Sequence, residues 1–456
     1  MRLSRRMILR GAAALPLATG NLGLSAFAQT PSPAPSAGGT PPVLFVHGNG
    51  DHAALWITTL WRMESNGVPR DRMFAINFTD PLARADDTKE EPNKSSTEDQ
   101  RRELGEAIQE LKRRTGAARV ALVGNSRGGN SIRSYIKNGG AADVSHAVLC
   151  GVPNHGVYDW DVGLNGEFNG RGPFLRGLNE GENEVTPGTA FLTLRSDGMD
   201  KYAQEDGRFV GKPGTPTGIT AAGPALKGAT NLVLGAVDHR ETAFSPRAFR
   251  EIYKFIAGRE PDRIAIMPEA EVRLSGLVTG TPGGVQTNRP VTGASVDVYR
   301  VSGDTGERIG SPIHSSQTAA NGRWGPAKVD PTWYLEIVLT SAGSTTTHFY
   351  RSPFPRSSEI VHLRAARPLG AADVGAGSVV LMSRPRGYFG LPRDIVLFDG
   401  KEPTDVKAGV PGDSTSTLRL PGAEARPVTA MFNEERIVAR AWPASENRIA
   451  VAELTY

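Results

Sequence analysis

Short apolar runs alternate with longer, mostly amphipathic stretches between residues 41 and 260 of the chain. The six runs fall at residues 43–46, 73–78, 119–123, 147–152, 191–194 and 231–234. Strands that alternate with helices favour a parallel sheet with helices on both faces. The clearest helix lies between the second and third runs, where Thr97 and Gln100 have the spacing of a capping box and Gly116 is a natural stop.

The pattern changes after about residue 268, where apolar and polar residues alternate one by one. Residues 295–299 and 334–338 show this alternation, and turn residues such as Asn321-Gly322 separate the runs. Alternation with frequent turns indicates an all-β region. We predict one sandwich-like domain over residues 268–364 and a second β-rich domain over residues 375–456.

The first 28 residues carry the features of an export signal. A basic start precedes a moderately apolar stretch, and Ala26-Phe27-Ala28 is a small-residue cleavage signature. The stretch SRRMILR at residues 4–10 resembles the twin-arginine export motif, so we expect the twin-arginine export machinery as a partner and a periplasmic or secreted location. The alternative is an uncleaved membrane anchor, although no apolar run reaches the roughly 18 residues that span a bilayer. Residues 29–40, rich in Pro, Ser and Gly, predict a linker.

Composition narrows the classes of function. The formal net charge is +4, and the arginines of the first ten residues account for it, so no nucleic-acid partner is predicted. Cys150 is the only cysteine, which excludes an intramolecular disulfide, and its apolar neighbours predict a buried strand residue. The chain has no HExxH, CxxC or phosphate-binding loop pattern, and we expect neither a metal nor another cofactor.

One serine, Ser126, lies in the sequence GNSRGG at residues 124–129. In a chain with 53 glycines such a pattern arises easily by chance, so its surroundings decide its meaning. The apolar run at residues 119–123 leads directly into it, and a helix-like stretch at residues 130–137 follows. A strand, a tight turn and a helix expose a serine hydroxyl to a base and to oxyanion donors. This order predicts that Ser126 is a nucleophile.

A second loop, HGNGD at residues 47–51, follows the first apolar run. Such a loop can place a backbone N–H opposite the nucleophile. We therefore assign the amides of Asn49 and Arg127 to an oxyanion hole. His47 is expected to tie down this loop rather than to act as the base.

The general base is expected late in this first domain. Of its five histidines, only His239 lies in a loop between the last apolar run and the terminal helix, so we predict His239 as the base. The acid that orients this histidine is expected after the fifth run. Three residues there are candidates, namely Asp197, Asp200 and Asp206.

Five segments together resemble bacterial and archaeal lipases of the α/β-hydrolase superfamily: FVHGNGD, GNSRGG, GVPNHG, SDGMDKYAQ and VDHRETAFSPRAF. The pieces HGNGD and GNSRGG are also similar to a group of extracellular polyhydroxyalkanoate depolymerases. The resemblance implies an α/β-hydrolase fold over residues 41–260 and a triad in the chain order Ser126, Asp200, His239. It favours Asp200 because residues 196–204 are similar to lipase acid loops, with Asp197 as the alternative.

The β-rich tail, with THFYRSPF and SRPRGYFGLPRDIVLFDGK, resembles the C-terminal β domains attached to an archaeal long-chain lipase and its relatives. Phe349, Tyr350 and Phe354 are either a patch that docks on a lipid aggregate or polymer surface, or part of the core. Residues 155–187 are either a lid or a surface elaboration.

These features lead us to expect an exported serine carboxylic-ester hydrolase, a lipase, that acts on an ester substrate. A polyhydroxyalkanoate or polyester depolymerase is the nearest alternative. A catalytically silent binding protein on the same fold is the alternative without enzyme activity.

Overall fold

The computed structural model of the protein describes residues 39–456. The predicted signal peptide and residues 29–38 of the predicted linker lie outside the described residues. In the part of the chain that is described, no helix is both long enough and apolar enough to cross a membrane.

A six-stranded parallel sheet forms the first half of the fold. Its strands are β1 Val43–Val46, β2 Met73–Ala75, β3 Val120–Asn125, β4 Val144–Cys150, β5 Ala190–Ser196 and β6 Thr230–Leu234. Their order across the sheet is β2-β1-β3-β4-β5-β6, and every neighbouring pair is parallel. Each strand overlaps one of the six predicted runs. The central strands β1 and β3 are buried along their whole length and are therefore almost entirely apolar, whereas the edge strands β2 and β6 are partly exposed.

Helices cover both faces of this sheet. They are α1 Ile57–Ser65, α2 Thr97–Thr115, α3 Arg127–Lys137, α4 Pro173–Leu178, α5 Glu241–Phe244 and α6 Pro246–Ala257. Along β1 the side chains alternate between two cores. Val43 and Phe45 pack with α1 and α6, whereas Leu44 and Val46 pack with α2 and α3. The predicted parallel sheet between two layers of helices is confirmed.

Helix α2 is capped one residue earlier than the sequence pattern indicates. The Asp99 N–H donates to Ser96 Oγ at 3.1 Å, and the Ser96 N–H donates to the Asp99 carboxylate at 3.0 Å. The capping box is therefore formed by Ser96 and Asp99, not by Thr97 and Gln100, because the shorter Asp side chain also reaches back to the cap. The helix ends at Gly116, whose φ of 67° lies in the left-handed region.

The second half of the fold consists of three β-sheets. Their strands are β7 Val272–Thr279, β8 Ser295–Val301, β9 His314–Gln317, β10 Arg323–Val329, β11 Tyr334–Thr340, β12 Thr346–Arg351, β13 Leu363–Arg364, β14 Ser378–Ser383, β15 Val396–Phe398, β16 Thr415–Leu420, β17 Pro427–Phe432, β18 Glu435–Arg440 and β19 Arg448–Glu453. The largest sheet has the order β16-β14-β19-β12-β11-β8-β9. The smaller sheets are β10-β7-β13 and β15-β17-β18.

The large sheet carries one smaller sheet on each face. Ile449 and Val451 of β19 belong to the core shared with β7 and β10. Ala450 and Ala452 of the same strand belong to the core shared with β15, β17 and β18. Alternate residues of one strand thus enter two different cores, and the region is a three-layer sandwich.

The predicted β ranges, residues 268–364 and 375–456, contribute strands to one common sheet. β19 pairs in parallel with β12 on one side and with β14 on the other. The C-terminal strand therefore joins the two ranges, and neither closes its large sheet alone. Strands β12 and β19 are about a hundred residues apart in the chain, and no local sequence pattern predicts that they pair.

The three aromatic residues considered as a surface patch are buried. Phe349, Tyr350 and Phe354 are each at most 5% exposed, so the alternative that places them in the core is correct. Phe354 packs edge-on against Trp61 of α1, with ring centroids 6.0 Å apart. The Trp61 indole N–H donates to the carbonyl of Ser357 at 2.9 Å. Helix α1 thus packs directly on the β region.

The burial of Trp61 at this contact predicts a large effect on stability. We expect Trp61→Ala to lower the free energy of unfolding by about 3–5 kcal/mol, because it leaves a cavity and an unpaired carbonyl. Phe74→Ala, at a side chain that is 38% exposed, should change it by less than about 1 kcal/mol. Urea denaturation followed by circular dichroism measures both. Equally small losses would show that Trp61 does not hold the two regions together.

Candidate functional site

Ser126 lies in a tight turn between β3 and α3, at the carboxyl end of the parallel sheet. Its φ of 53° and ψ of −126° are strained for a residue with a side chain. The Ser126 N–H donates to the carbonyl of Cys150 at 3.0 Å, which fixes the turn against β4. Strand, strained turn and helix follow one another as the sequence predicts for a nucleophile elbow.

The glycines after Ser126 are required by close approach of the backbone. A Cβ atom on Gly128 would lie 2.4 Å from the carbonyl oxygen of His47. A Cβ atom on Gly129 would lie 2.0 Å from a methyl group of Val152. Both distances are far below van der Waals contact, so only glycine allows α3 to start this close to the sheet.

His239 and Asp200 form a hydrogen-bonded pair at the same end of the sheet. His239 follows β6, Asp200 follows β5, and His239 Nδ1 lies 2.7 Å from Asp200 Oδ2. Both residues are buried, and the Asp200 carboxylate also accepts from the N–H of Tyr202 at 2.8 Å. A carboxylate on Nδ1 holds the proton of a neutral imidazole there and leaves Nε2 as a proton acceptor.

The structure does not bring the other two candidate acids to His239. Asp197 accepts from the N–H of Ala236 at 3.0 Å, in the loop after β6. Asp206 accepts from the N–H of Arg208 at 3.0 Å and caps a short 3₁₀ helix. Of the three candidate acids, Asp200 is the one in contact with the histidine.

His47 fixes the loop after β1 from inside the protein. Its Nε2 accepts from the N–H of Phe78 at 3.1 Å, and its Nδ1 donates to the carbonyl of Gly48 at 2.9 Å. Burial lowers the pKa of His47 to about 4, so the ring is neutral at physiological pH. Both ring nitrogens are occupied, which agrees with the predicted structural role.

The two amides assigned to an oxyanion hole lie on either side of Ser126. Gly48 packs so closely that a Cβ atom on it would lie 2.9 Å from Ser126 Cβ, which brings Asn49 next to the serine. Arg127 follows the serine in the chain at the first position of α3. Within residues 39–456, neither amide donates a hydrogen bond to another residue. Both N–H groups therefore remain able to bind an external oxygen atom.

A cavity of about 260 Å³ is lined by both Ser126 and His239. Its apolar and aromatic lining residues include Val157, Tyr158, Phe168, Tyr202, Phe209, Val210 and Tyr388. The first three belong to the long excursion at residues 155–187, which therefore forms one wall of the cavity. Tyr388 comes from the β region, a contribution that the sequence did not reveal.

A buried ion pair attaches this excursion to the nucleophile turn. The Arg127 Nε atom lies 2.7 Å from a carboxylate oxygen of Glu167, and neither side chain is appreciably exposed. Arg127 also donates to the carbonyl of Ser95 at 2.8 Å. Burial raises the pKa of Glu167, and the Arg127 guanidinium opposes that shift. The residue whose amide flanks Ser126 thus also anchors the cavity wall.

Sequence reasoning also missed a buried ionic cluster beside His239. The Asp238 carboxylate is fully buried and accepts from the N–H of Glu241 at 2.9 Å. Its second oxygen accepts from the Arg384 guanidinium at 3.0 Å and from the N–H of Tyr388 at 2.8 Å. Arg384 and Asp238 are 146 positions apart in the chain, and no spacing or motif signals their contact.

The described residues hold no group of three or more His, Cys, Asp or Glu that could bind a metal ion. Cys150 is fully buried at the end of β4, and burial raises the pKa of its thiol. A protonated, inaccessible thiol is a poor nucleophile, so Ser126 is the candidate that the geometry favours.

Two family models match parts of the chain. Residues 42–186 match a model described as palmitoyl protein thioesterase, a range that includes Ser126. Residues 270–368 match a model described as the lipase C-terminal domain. Among curated proteins, no sequence matches this chain.

Solved structures similar to the chain include a gene product of Listeria innocua, at 16% identity and a TM-score of 0.34, over 49% of this chain and 97% of that one. The lipase BlEst2 of Bacillus licheniformis in its mature form is 18% identical, with a TM-score of 0.32, over 49% of this chain and 94% of its own. Its propeptide form is 14% identical, with a TM-score of 0.35, over 90% and 94%. These values are too low to bear on activity. The sheet order and the nucleophile turn show an α/β-hydrolase fold with a C-terminal β domain, and the two family models make the chain similar to thioesterases and lipases over the residues they match.

Proposed function

We propose that the protein is a serine carboxylic-ester hydrolase, a lipase, with Ser126 as nucleophile, His239 as general base and Asp200 as orienting acid. The observation that supports this most strongly is the 2.7 Å contact between His239 Nδ1 and Asp200 Oδ2, at a cavity that His239 shares with Ser126. The carboxylate fixes the tautomer of the ring and stabilises the imidazolium that forms during the reaction.

The reaction proceeds through an acyl-enzyme. Ser126 Oγ attacks the ester carbonyl carbon while His239 Nε2 takes the hydroxyl proton. The bond to the alcohol then breaks, and the imidazolium gives its proton to the departing alkoxide. Water, deprotonated by the same histidine, attacks the acyl-enzyme, releases the carboxylic acid and restores the serine.

The amides of Asn49 and Arg127 bind the oxyanion of both tetrahedral intermediates. Fixed donors of this kind typically contribute about 10²–10³ in rate each, because they are oriented before the charge develops. His47 helps to orient one of these donors. Its hydrogen bond to the carbonyl of Gly48 fixes the peptide unit that carries the Asn49 N–H.

The apolar cavity wall favours an acyl chain as the group bound beside Ser126. Two further candidate functions share the acyl-enzyme and differ in the group released. Polyester depolymerase activity is the nearest. Thioester hydrolysis is favoured by the match of residues 42–186 to the palmitoyl protein thioesterase model. A catalytically silent binding protein is the alternative without chemistry.

Export by the twin-arginine machinery forms part of the proposal, with cleavage near Ala28 and a periplasmic or secreted location. It is supported by the SRRMILR stretch and by the small-residue signature before residue 29.

Covalent labelling tests the nucleophile. A fluorophosphonate should label the wild-type protein, and Ser126→Ala should abolish the label and lower kcat by at least about 10⁴-fold. Ser311→Ala, at an exposed serine of the β region, is the matched control and should leave both unchanged. A wild-type protein that takes no label would support the silent binding protein.

The same proteins separate the candidate substrates. Wild type and Ser126→Ala are assayed on glycerol esters of increasing acyl length, on the matching thioesters and on a polyester film. A lipase should show its highest kcat/KM on one of the glycerol esters. A preference for thioesters or for the film would replace lipase with the corresponding alternative while leaving the triad in place.

Paired substitutions test the acid. Asp200→Asn should lower kcat by about 10⁴-fold, because an amide at this position no longer selects the productive tautomer of His239. Asp197→Asn removes the negative charge of a residue that does not contact His239 and keeps an oxygen that can accept from the N–H of Ala236, so it should change kcat less than about threefold. Steady-state hydrolysis of a soluble short-chain ester measures both, and the reverse ranking would move the role to Asp197.

A conservative double substitution tests export. Arg5→Lys with Arg6→Lys keeps the charge and removes the guanidinium groups, whose planar donors a lysine does not reproduce. We expect the precursor to accumulate in the cytoplasm, measured by cell fractionation in a host with a twin-arginine pathway. Unchanged export of the variant would contradict twin-arginine recognition.

A further inference from the structure

We propose that the C-terminal β domain forms part of the active site, because Arg384 and Arg393 hold the loop of His239 in its reactive position. This inference rests on the proposed function, since it concerns the placement of the proposed general base. The loop in question, residues 236–241, is called the histidine loop below. The segment that contacts it, residues 384–394, is called the clamp segment.

The residues immediately before and after His239 both bind the clamp segment. Asp238 accepts from the Arg384 guanidinium at 3.0 Å and from the N–H of Tyr388 at 2.8 Å. On the other side of the histidine, the Arg240 guanidinium donates to the carbonyl of Pro385 at 2.7 Å. The backbone of His239 is thus fixed at both ends by contacts with the β domain.

A second carboxylate of the histidine loop binds the same segment. Arg384 Nη2 lies 2.6 Å from one oxygen of Glu241, and Arg393 Nη1 lies 2.8 Å from the other. Burial alone would raise the pKa of the Glu241 carboxyl, but the two guanidiniums together hold it below its usual value. Two acids of the loop therefore meet two arginines of the β domain, and the charges compensate one another.

The loop that carries Asp200 contacts the β domain as well. Lys201, the next residue, donates to the carbonyl of Gly412 at 3.0 Å, and its ammonium lies 3.9 Å from the centre of the Tyr388 ring. Both members of the hydrogen-bonded pair, His239 and Asp200, thus have a neighbour in the chain that binds the β domain.

The hydrolase domain holds the histidine loop mainly by its backbone, whereas the contacts with the β domain are made by the side chains of Asp238, Arg240 and Glu241. Its own contacts to the backbone of His239 are made at the carbonyl oxygen, which accepts from Thr242 Oγ1 at 2.6 Å and from Asn125 Nδ2 at 3.3 Å.

Before the histidine, the hydrolase domain holds the backbone through the N–H of Ala236, which donates to Asp197 at 3.0 Å, and through the carbonyl of Asp238, which accepts from the N–H of Thr242 at 3.3 Å. The side chain of Asp238, in contrast, is bound on one side by its own loop and on the other by the β domain. A shift of about 1 Å at a reacting group can lower a rate about a hundredfold.

Arg384→Met tests the inference, because methionine keeps an apolar stem against the ring of Phe432 and removes the guanidinium. We expect kcat on a soluble short-chain ester to fall about a hundredfold, with KM within about threefold. The rate of fluorophosphonate labelling should fall in parallel, and Arg384→Lys should recover at least about tenfold of the loss. All rates are expressed per folded molecule, from the folded fraction in a thermal denaturation curve.

Arg426→Met is the matched control. Arg426 makes a two-point ion pair with Asp399, at 2.7 and 3.0 Å, within the β domain and with no contact to the histidine loop. Its kcat and labelling rate should stay within about twofold of wild type. A loss equal to that of Arg384→Met would show a general effect of removing an arginine and would overturn the inference.

The remaining outcomes are also decisive. If Arg384→Met is less stable but keeps the wild-type kcat per folded molecule, the cluster only joins the domains: the inference is wrong and the proposed function stands. If wild type takes no label, the proposed function fails and the inference fails with it. If Arg384→Met does not fold, Arg393→Met replaces it, since Arg393 is 14% exposed and its shorter contact is with Glu241 at 2.8 Å, whereas Asp238 lies 3.9 Å away. An unchanged kcat in that variant would contradict the inference, and a loss of about tenfold would support it.

Discussion

The fully buried carboxylate of Asp238 is the point on which the arrangement of both halves of the protein depends. One of its oxygens accepts from the backbone of its own loop, and the other accepts from Arg384 and Tyr388 of the β domain. An uncompensated charge in a protein interior costs several kcal/mol, so this site exists only where both halves supply donors. Because His239 is the next residue, the requirement for charge compensation acts directly on the loop of the candidate base.

A similar arrangement is found at the nucleophile turn. The Arg127 guanidinium is fully buried and is compensated by Glu167 of the long excursion, while the Arg127 amide lies beside Ser126. The two ends of the candidate machinery, the oxyanion donors and the base, therefore each adjoin a buried ion pair with a segment distant in the chain. Buried pairs add little net stability, but they tolerate few alternative geometries. In this protein the two buried pairs therefore restrict the positions of the Arg127 amide and of His239, the groups on whose placement the proposed chemistry depends.

The features that could be predicted from the sequence are those determined by residues close together in the chain. Local patterns predict the six strands and also the strand, turn and helix around Ser126. Apolar runs and a tight turn can each be recognised from adjacent residues in the sequence. The choice between Asp197 and Asp200 rests on the resemblance of residues 196–204 to lipase acid loops and not on spacing, since both follow β5 and the course of the loop brings one to His239 and the other to Ala236. No local pattern predicts the ionic contact of Arg384 with Asp238, which lies 146 positions away in the chain. The same is true of the insertion of β19 between β12 and β14.

The β domain also shows why apolar content is a poor guide to a binding surface. Phe349 and Tyr350 are neighbours on β12 and point to opposite faces, so in a sheet with one solvated face one of them would be exposed. Both are buried, because the large sheet is covered on both sides. Alternation of side chains cannot distinguish a face covered by another sheet from a face in water.

The contacts of this domain with the site lie outside the strands, at Gly412, which accepts from Lys201, and in the segment after β14. There Tyr388 uses its N–H to bind Asp238 and its ring to line the cavity beside Ser126. The hydrogen bond from the backbone N–H does not depend on the side chain at position 388, whereas the shape of the cavity does. Substitution at this one position is therefore expected to change the shape of the cavity beside Ser126 while the histidine loop stays bound.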